Sequence, residues 1–178
     1  NIAVNEGSPF AIFAVTGASG QMVRLGLVAG NAAMVDGVAG ADQAADFGPG
    51  LEYWNGSAWV GYVADSYVTI PAGATALLVR TPIVNDAANE GAEAFRLFAA
   101  STGSGTGATG IATIADDGTG TLFADGAPTV GPLGGLVAPI DADGLKDDDR
   151  PLAVANIAVN EGSPFAIFAV TGASGQMV

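Results

Sequence analysis

Hydrophobic and polar positions alternate in short runs along this chain and do not recur at helical spacing. The runs "FAIFAVTG" (residues 10–17), "MVRLGLVAG" (22–30), "AWVGYV" (58–63), "YVTI" (67–70), "ALLVRTPIV" (76–84), "AFRLFAAS" (94–101) and "GIATIADD" (110–117) are rich in β-branched and aromatic residues. Gly, Asp and Asn turns separate them, a pattern that predicts short antiparallel strands packed as an all-β sandwich. The Ala-rich stretch "NAAMVDGVAGADQAADF" (31–47) is broken by Gly and Asp, so a loop with one helical turn is expected there. Asn55-Gly56 within "YWNGSAW" (53–59) is a hairpin signal. The glycine run "STGSGTGATG" (101–110) has no Lys and no following helix, so it reads as a long flexible hairpin and not as a phosphate loop.

A second pattern overlies the first. Residues 1–23, "NIAVNEGSPFAIFAVTGASGQMV", return unchanged as residues 156–178, a period of 155 residues. Such a period is too long for a stacked solenoid unit, so each repeat is expected to be a self-contained domain strung on a linker. Composition shifts after residue 123, where "ADGAPTVGPLGGLVAPIDADGLKDDDRP" (124–151) is rich in Gly, Pro and Asp. The expected organisation is therefore a sandwich over 1–123, an inter-repeat linker over 124–151, and the first strands of the next repeat over 152–178, with a repeat unit starting near Asp149. One body accepts one copy of the duplicated strands. Residues 156–178 are expected to be ordered by pairing, either with this body in place of residues 1–23 or with another copy of the chain by strand exchange.

Composition then narrows the chemistry. The 178 residues carry 5 Lys and Arg against 18 Asp and Glu, a net charge of -13, with neither Cys nor His. Thiol nucleophiles, imidazole bases, zinc sites of Cys and His, Ser-His-Asp arrangements and disulfides are excluded, and no enzymatic activity is expected. The negative charge disfavours nucleic acid and anionic lipid and favours cations. No uninterrupted apolar run approaches the ~18 residues of a membrane span, so no membrane insertion is expected. The chain opens at Asn1 with no secretion signal and reads as a piece of something longer.

Four motifs occur in order: "VNEG" (4–7), "VDGVAGADQAADF" (35–47), "VNDAANEGAEAFRLF" (84–98) and "GIATIADDGTG" (110–120). In this order and spacing they resemble the Calx-beta pattern, in particular the Calx-beta-like extender repeats of long RTX- or Bap-type bacterial surface adhesins. The resemblance covers residues 1–123. It implies an immunoglobulin-like Greek-key sandwich of about seven strands, with calcium held by loops at one end, in an extracellular chain at the bacterial cell surface. By resemblance, metal binding is carried onto Glu6, Asp36, Asp46, Asp86, Glu90, Glu93, Asp116 and Asp117. Calcium takes six to eight hard oxygens, which carboxylates from several loops supply. Asn85 and Gly118 depart from the pattern, where some relatives have further Asp, and imply fewer ligands. The linker acids Asp141, Asp143, Asp147, Asp148 and Asp149, with Glu161 or main-chain oxygens, offer ligands for a further ion that would stiffen the joint. Plain solvation of turns is the alternative for all of these residues. "DADGLKDDD" (141–149) is no EF-hand, because its twelfth position is Leu152.

Three functions remain open on the sequence. The first is a calcium-stabilised spacer that projects an adhesive tip for attachment or biofilm formation, its partners being neighbouring repeats. The second is a glycan- or surface-binding module built on Trp54 and Trp59. The third is a calcium sensor. Glu90 and Glu93 as a glycosidase pair lack a readable cleft.

Overall fold

The structure, a computed structural model, describes residues 1–30, 34–103, 107–131 and 135–172. In chain order the strands are β1 (Ile2–Asn5), β2 (Phe10–Thr16), β3 (Met22–Val28), β4 (Ala39–Gly40), β5 (Glu52–Trp54), β6 (Trp59–Gly61), β7 (Val68–Thr69), β8 (Ala76–Pro82), β9 (Glu93–Ser101), β10 (Gly107–Ala115), β11 (Thr129–Val130), β12 (Leu136–Val137), β13 (Ala153–Val154) and β14 (Val170–Thr171). Among the described residues there is no helix.

Two sheets form an all-β sandwich. One has the order β1-β10-β9-β3-β7, with β4 also against β9, and the other runs β2-β8-β5-β6. All ladders in them are antiparallel except β1 on β10 and β4 on β9. Apolar faces of both sheets meet in one core. Phe95 of β9 stacks on Phe47 at 4.1 Å between ring centroids and meets the edge of Phe13 from β2 at 5.9 Å. Val4, Ile12, Leu25, Leu77, Val79, Leu97 and Ile114 complete it.

The unbroken apolar run of "ALLVRTPIV" has its reason in β8, which is buried along Ala76–Thr81. β2 and β5 flank it, and Leu136 and Ala138 of the Gly/Pro-rich segment pack against the same core. Arg80 lies within this strand, 6% exposed. Its guanidinium pairs with Glu52 at 2.6 Å and Asp125 at 2.8 Å and lies over the rings of Phe10 and Trp59. A buried guanidinium without partners would cost several kcal/mol, and here two carboxylates and two ring faces compensate it. The residues read as a linker are thus laid against the sandwich. Asp125 is tied to Arg80, Trp59 Nε1 donates to the Gly126 carbonyl at 2.8 Å, and Phe123 bridges to Ile140.

Several local expectations shift. Residues 107–110 of the glycine run belong to β10 and pair with 97–100 of β9, so the strand hairpin reaches further than its glycines suggested. Gly107 has a packing reason, since a Cβ there would sit 2.2 Å from the Phe98 ring. Residues 104–106 lie outside the described residues, as do 31–33 of the Ala-rich stretch. The rest of that stretch holds two turns on either side of β4, a tight one between Val35 and Val38 and a second in which Asp46 N–H donates to the Asp42 carbonyl at 3.0 Å, with Ala44 inside it at φ +76°. The Asn55-Gly56 signal gives the β5–β6 hairpin with residues 55–58 as its loop. Asn55 Oδ1 accepts from the backbone N–H of Ser57 and of Ala58.

The two copies of the duplicated segment have different fates. Residues 2–5 and 10–16 of the first are β1 and β2 of the sandwich. The second does not take their place on this body. Its described part, 156–172, is exposed throughout, and its Val170–Thr171 pairs only with Ala153–Val154. Truncation at equivalent-looking apolar positions therefore separates the copies. Phe13→Ala is expected to cost about 3–5 kcal/mol, whereas Phe168→Ala stays within about 0.5 kcal/mol of wild type. Urea unfolding of dilute protein checks both.

Candidate metal centre

Strand register gathers acidic residues from distant parts of the sequence. The parallel β1–β10 ladder ends with Asn5 beside Ala115, so the next residues, Glu6 and Asp116, leave the sheet at the same end. Glu93 opens β9 opposite Ile114 and joins them there. The β8–β9 connection folds over this end by hydrogen bonds to carboxylates: Asp86 N–H donates to Glu6 Oε1 at 3.1 Å, and Glu90 N–H to Asp116 Oδ2 at 2.9 Å. β4 runs parallel to β9 with Ala39 beside Glu93, and Val84 N–H donates to the Asp46 carbonyl at 3.0 Å, which brings the 42–47 loop to the same place. Carboxylate oxygens of Asp46, Glu90 and Glu93 lie within 4.8 Å of one another.

The segment leading out of the body completes the group. Asn5 is fully buried. Its Oδ1 accepts from Asp147 N–H at 2.8 Å and from Gly7 N–H at 3.0 Å, while its Nδ2 donates to the carbonyls of Thr119 and Asp147 at 2.7 and 3.2 Å. Gly120, at φ +84°, lets this chain pass so close that a Cβ would sit 2.6 Å from Asn5 N. Asp147 is thereby held within reach of the charges of Glu6 and Asp116, and Asp149 within reach of Asp147.

Electrostatics at this end are strained in one direction. Burial, followed by the charges of Asp116, Asp147 and Asp86, pushes the Glu6 carboxyl up to about 7 despite the favourable Asp86 amide. Glu93 is pushed up to about 8 by burial, then by its hydrogen bond with Asp46 and the charges of Asp46, Glu90 and Asp42. Asp147 is raised by burial and by Asp149, and Glu90 by lost solvent around its carboxyl and by Asp46, Asp86 and Asp116. Among the described residues, three buried carboxylate oxygens have no hydrogen-bond partner: Asp116 Oδ1, Asp147 Oδ2 and Asp149 Oδ2. Asp116 itself is 1% exposed. Buried acceptors are ordinarily satisfied, so orphaned oxygens facing like charges fit a cation.

Of the acidic residues singled out in the sequence, Glu6, Asp46, Asp86, Glu90, Glu93, Asp116, Asp147 and Asp149 gather here. The others do not. Asp36 is exposed in a tight turn between Val35 and Val38, at φ +53°. Asp117 is exposed and spends Oδ1 on the amide and hydroxyl of Thr119, which hold its carboxyl below the usual range. Asp148 is paired with Arg150 at 2.9 Å and is lowered by that contact. Asp141 and Asp143 form an exposed turn, and Glu161 is exposed on the second copy.

Three contributors are not among the acidic residues that the sequence singles out. Asp42 caps the loop by donating its N–H to Asp46 Oδ2; its spacing of four from Asp46 was the available signal. Asn85 hydrogen-bonds Asp147 through its side chain. Asn5 anchors the exit segment, and only its double occurrence in "VNEG" hinted at a role.

The donors are all oxygens, which suits calcium or magnesium and not softer metals. Among the described residues no helix is long and apolar enough to cross a membrane. Comparison of the chain with protein-family models, with curated proteins and with solved structures gives no match.

The raised carboxyls fix a pH dependence. Glu6 and Glu93 bind protons more tightly folded than unfolded, so their stabilising protonation is complete below about 4.5, the ordinary value, and is lost as pH rises through about 7 and 8. In chelator the melting temperature is expected to fall from pH 5 to pH 8.5. Glu93→Gln flattens the upper part of that fall, and thermal melts over a pH series read it out.

Proposed function

We propose that this chain is a calcium-stabilised spacer repeat of an extracellular bacterial adhesin, one bead of a tandem array that carries a binding tip away from the cell. The observation that carries the reading is the set of unpartnered, buried carboxylate oxygens at one end of the sandwich, where the segment towards the second copy leaves the body. Glu6 belongs to the end of β1, Asp86, Glu90 and Glu93 to the β8–β9 region, Asp116 to the end of β10, and Asp147 and Asp149 to the exit. Bound calcium would offset their repulsion and join body to exit, so that the angle between successive beads is restrained. The exact return of residues 1–23 supports this role, since reach grows with copy number and chemistry does not.

Outside the cell, calcium at a hundred times Kd adds about 2.7 kcal/mol to the folded state. In calcium-poor cytoplasm the same bead would be softer, which suits export. A sensor would instead respond at micromolar calcium and change shape. The glycan-binding reading draws nothing from the aromatic hairpin: Trp54 is buried, and Trp59 is occupied by Arg80, by the Gly126 carbonyl and by an edge contact with Trp54 at 5.6 Å.

Thermal melts in calcium and in EDTA test the proposal. Saturating calcium is expected to raise the melting temperature by about 5–10 °C. Asp116→Asn keeps an acceptor for Glu90 N–H but loses one charge, so it should melt at or above wild type in EDTA and lose most of the calcium-dependent rise. Equal lowering in both conditions would mark Asp116 as structural only, and no calcium shift in wild type would remove the spacer mechanism.

A further inference from the structure

Among the described residues β2 is the edge of its sheet, and alternate residues of an antiparallel strand turn their backbone groups to opposite sides. The Pro9 carbonyl accepts from Ile83 N–H at 3.3 Å and Gly17 N–H donates to the Thr75 carbonyl at 3.0 Å, so the odd-numbered positions face β8. The even-numbered positions face the open edge. There the Phe10 carbonyl is taken by Ser8 Oγ at 2.8 Å, which leaves the edge beside Ala14 and Thr16. A groove of about 240 Å³ lies next to it between the sheets, lined by Ala14, Val15 and Thr16 of β2 and by Ala108, Thr109 and Gly110 of β10. β1 pairs with β10 only from Ala112 onwards, so the groove runs along the part of β10 that precedes this ladder.

The segment ahead of the second copy indicates what pairs with such an edge. Ala153 and Val154 form an antiparallel ladder with Thr171 and Val170, and Ala155 N–H donates to the Ala169 carbonyl at 3.1 Å. Residues 169–171 repeat Ala14, Val15 and Thr16. The carbonyl engaged is therefore the equivalent of that of Ala14, on the side that β8 leaves free, and both neighbours fit on one β2. Opposite residues of such a ladder share a face. Val15 packs against the core, so a Val154 paired with it points into the groove, as does Leu152 two positions earlier. We propose that in each repeat the segment LAVA, which stands here at 152–155, joins the sheet of β2 as an antiparallel edge strand and fills the groove with its Leu and Val before the chain crosses to the other sheet as β1. This rests on the tandem-array reading, in which the groove of one body takes the LAVA that closes the preceding period. The joint between bodies is then short. Asp147 is bonded through its N–H and carbonyl to Asn5 of one body, and Leu152 begins the strand on the next. Only residues 148–151 lie between them, spanning at most about 18 Å, and Pro151 fixes one of their dihedrals.

The full chain with a copy of residues 149–155 added ahead of Asn1 tests this, in EDTA throughout, so that docking is read whether or not calcium binds. The added copy is expected to raise the melting temperature by about 5 °C, and Val154→Asp made only in the added copy should abolish the rise. The chain has no cysteine, so engineered thiols report the register. With Val154→Cys in the added copy, docking on β2 sets the thiol against Val15→Cys, whereas straight upstream continuation of the β1–β10 ladder sets it against Thr109→Cys. In dilute protein under limiting oxidant, the disulfide to position 15 is expected to form at least tenfold faster than the one to position 109. No rise in melting temperature, a rise that Val154→Asp leaves intact, or a disulfide to position 109 that forms as fast as the one to position 15 overturns the proposal. Absence of a calcium shift in wild type would instead remove the spacer mechanism and leave this docking standing.

Discussion

The parallel ladder between β1 and β10 is the constraint on which the rest of the molecule depends. It sets residues 2–5 beside residues 112–115, closes an edge of the larger sheet with strand from the far end of the sequence, and aims both strands at the same end. Parallel pairing requires a long excursion between partners, and here that excursion is the rest of the sandwich. Glu6 and Asp116 meet because of this register, and Asn5, ending β1, fastens the exit segment through Asp147. The acidic end and the fastening of the exit segment are two consequences of one ladder.

At that end the protein accepts an arrangement that a stability argument alone would not favour. Acidic groups crowd where water is partly excluded, their carboxyls rise, and several oxygens go without donors. Elsewhere the same chain satisfies its acids locally: Asp117 by Thr119, Asp148 by Arg150, Glu52 and Asp125 by Arg80. The contrast separates acids that finish turns and ion pairs from acids crowded against one another with oxygens unpartnered among the described residues.

Much of the sandwich could be read in the alternation of apolar and polar residues. The runs at 10–17, 22–30, 76–84 and 94–101 are β2, β3, β8 and β9 to within a few residues. Strand ends were less legible, as at Gly107, where ladder pairing overrides the loop preference of glycine. The acidic site was legible in part. Glu6, Glu93 and Asp116 stand at strand ends, which a sequence marks, but Asp36 and Asp117 carry the same marks and face solvent. Asp42, Asn85 and Asn5 contribute through chain crossings that no local pattern encodes. Within 124–151, whose composition reads as linker, Asp125, Gly126 and Asp147 are held on the body by Arg80, Trp59 and Asn5, each distant in sequence.

The duplicated segment draws the line between the two kinds of information within one molecule. Residues 5–10 and 160–165 share one sequence and one turn, because the Asn side chain bonds to a backbone N–H two residues on, and such bonds need no other part of the chain. That much the sequence determined by itself, together with the apolar alternation flanking the turn. Whether the flanking residues become strands was decided by tertiary structure alone. A strand needs a neighbour for its backbone hydrogen bonds and an opposing face for its apolar side chains, and the body supplies both to residues 2–16, whereas among the described residues 156–172 only Val170–Thr171 gain a strand partner.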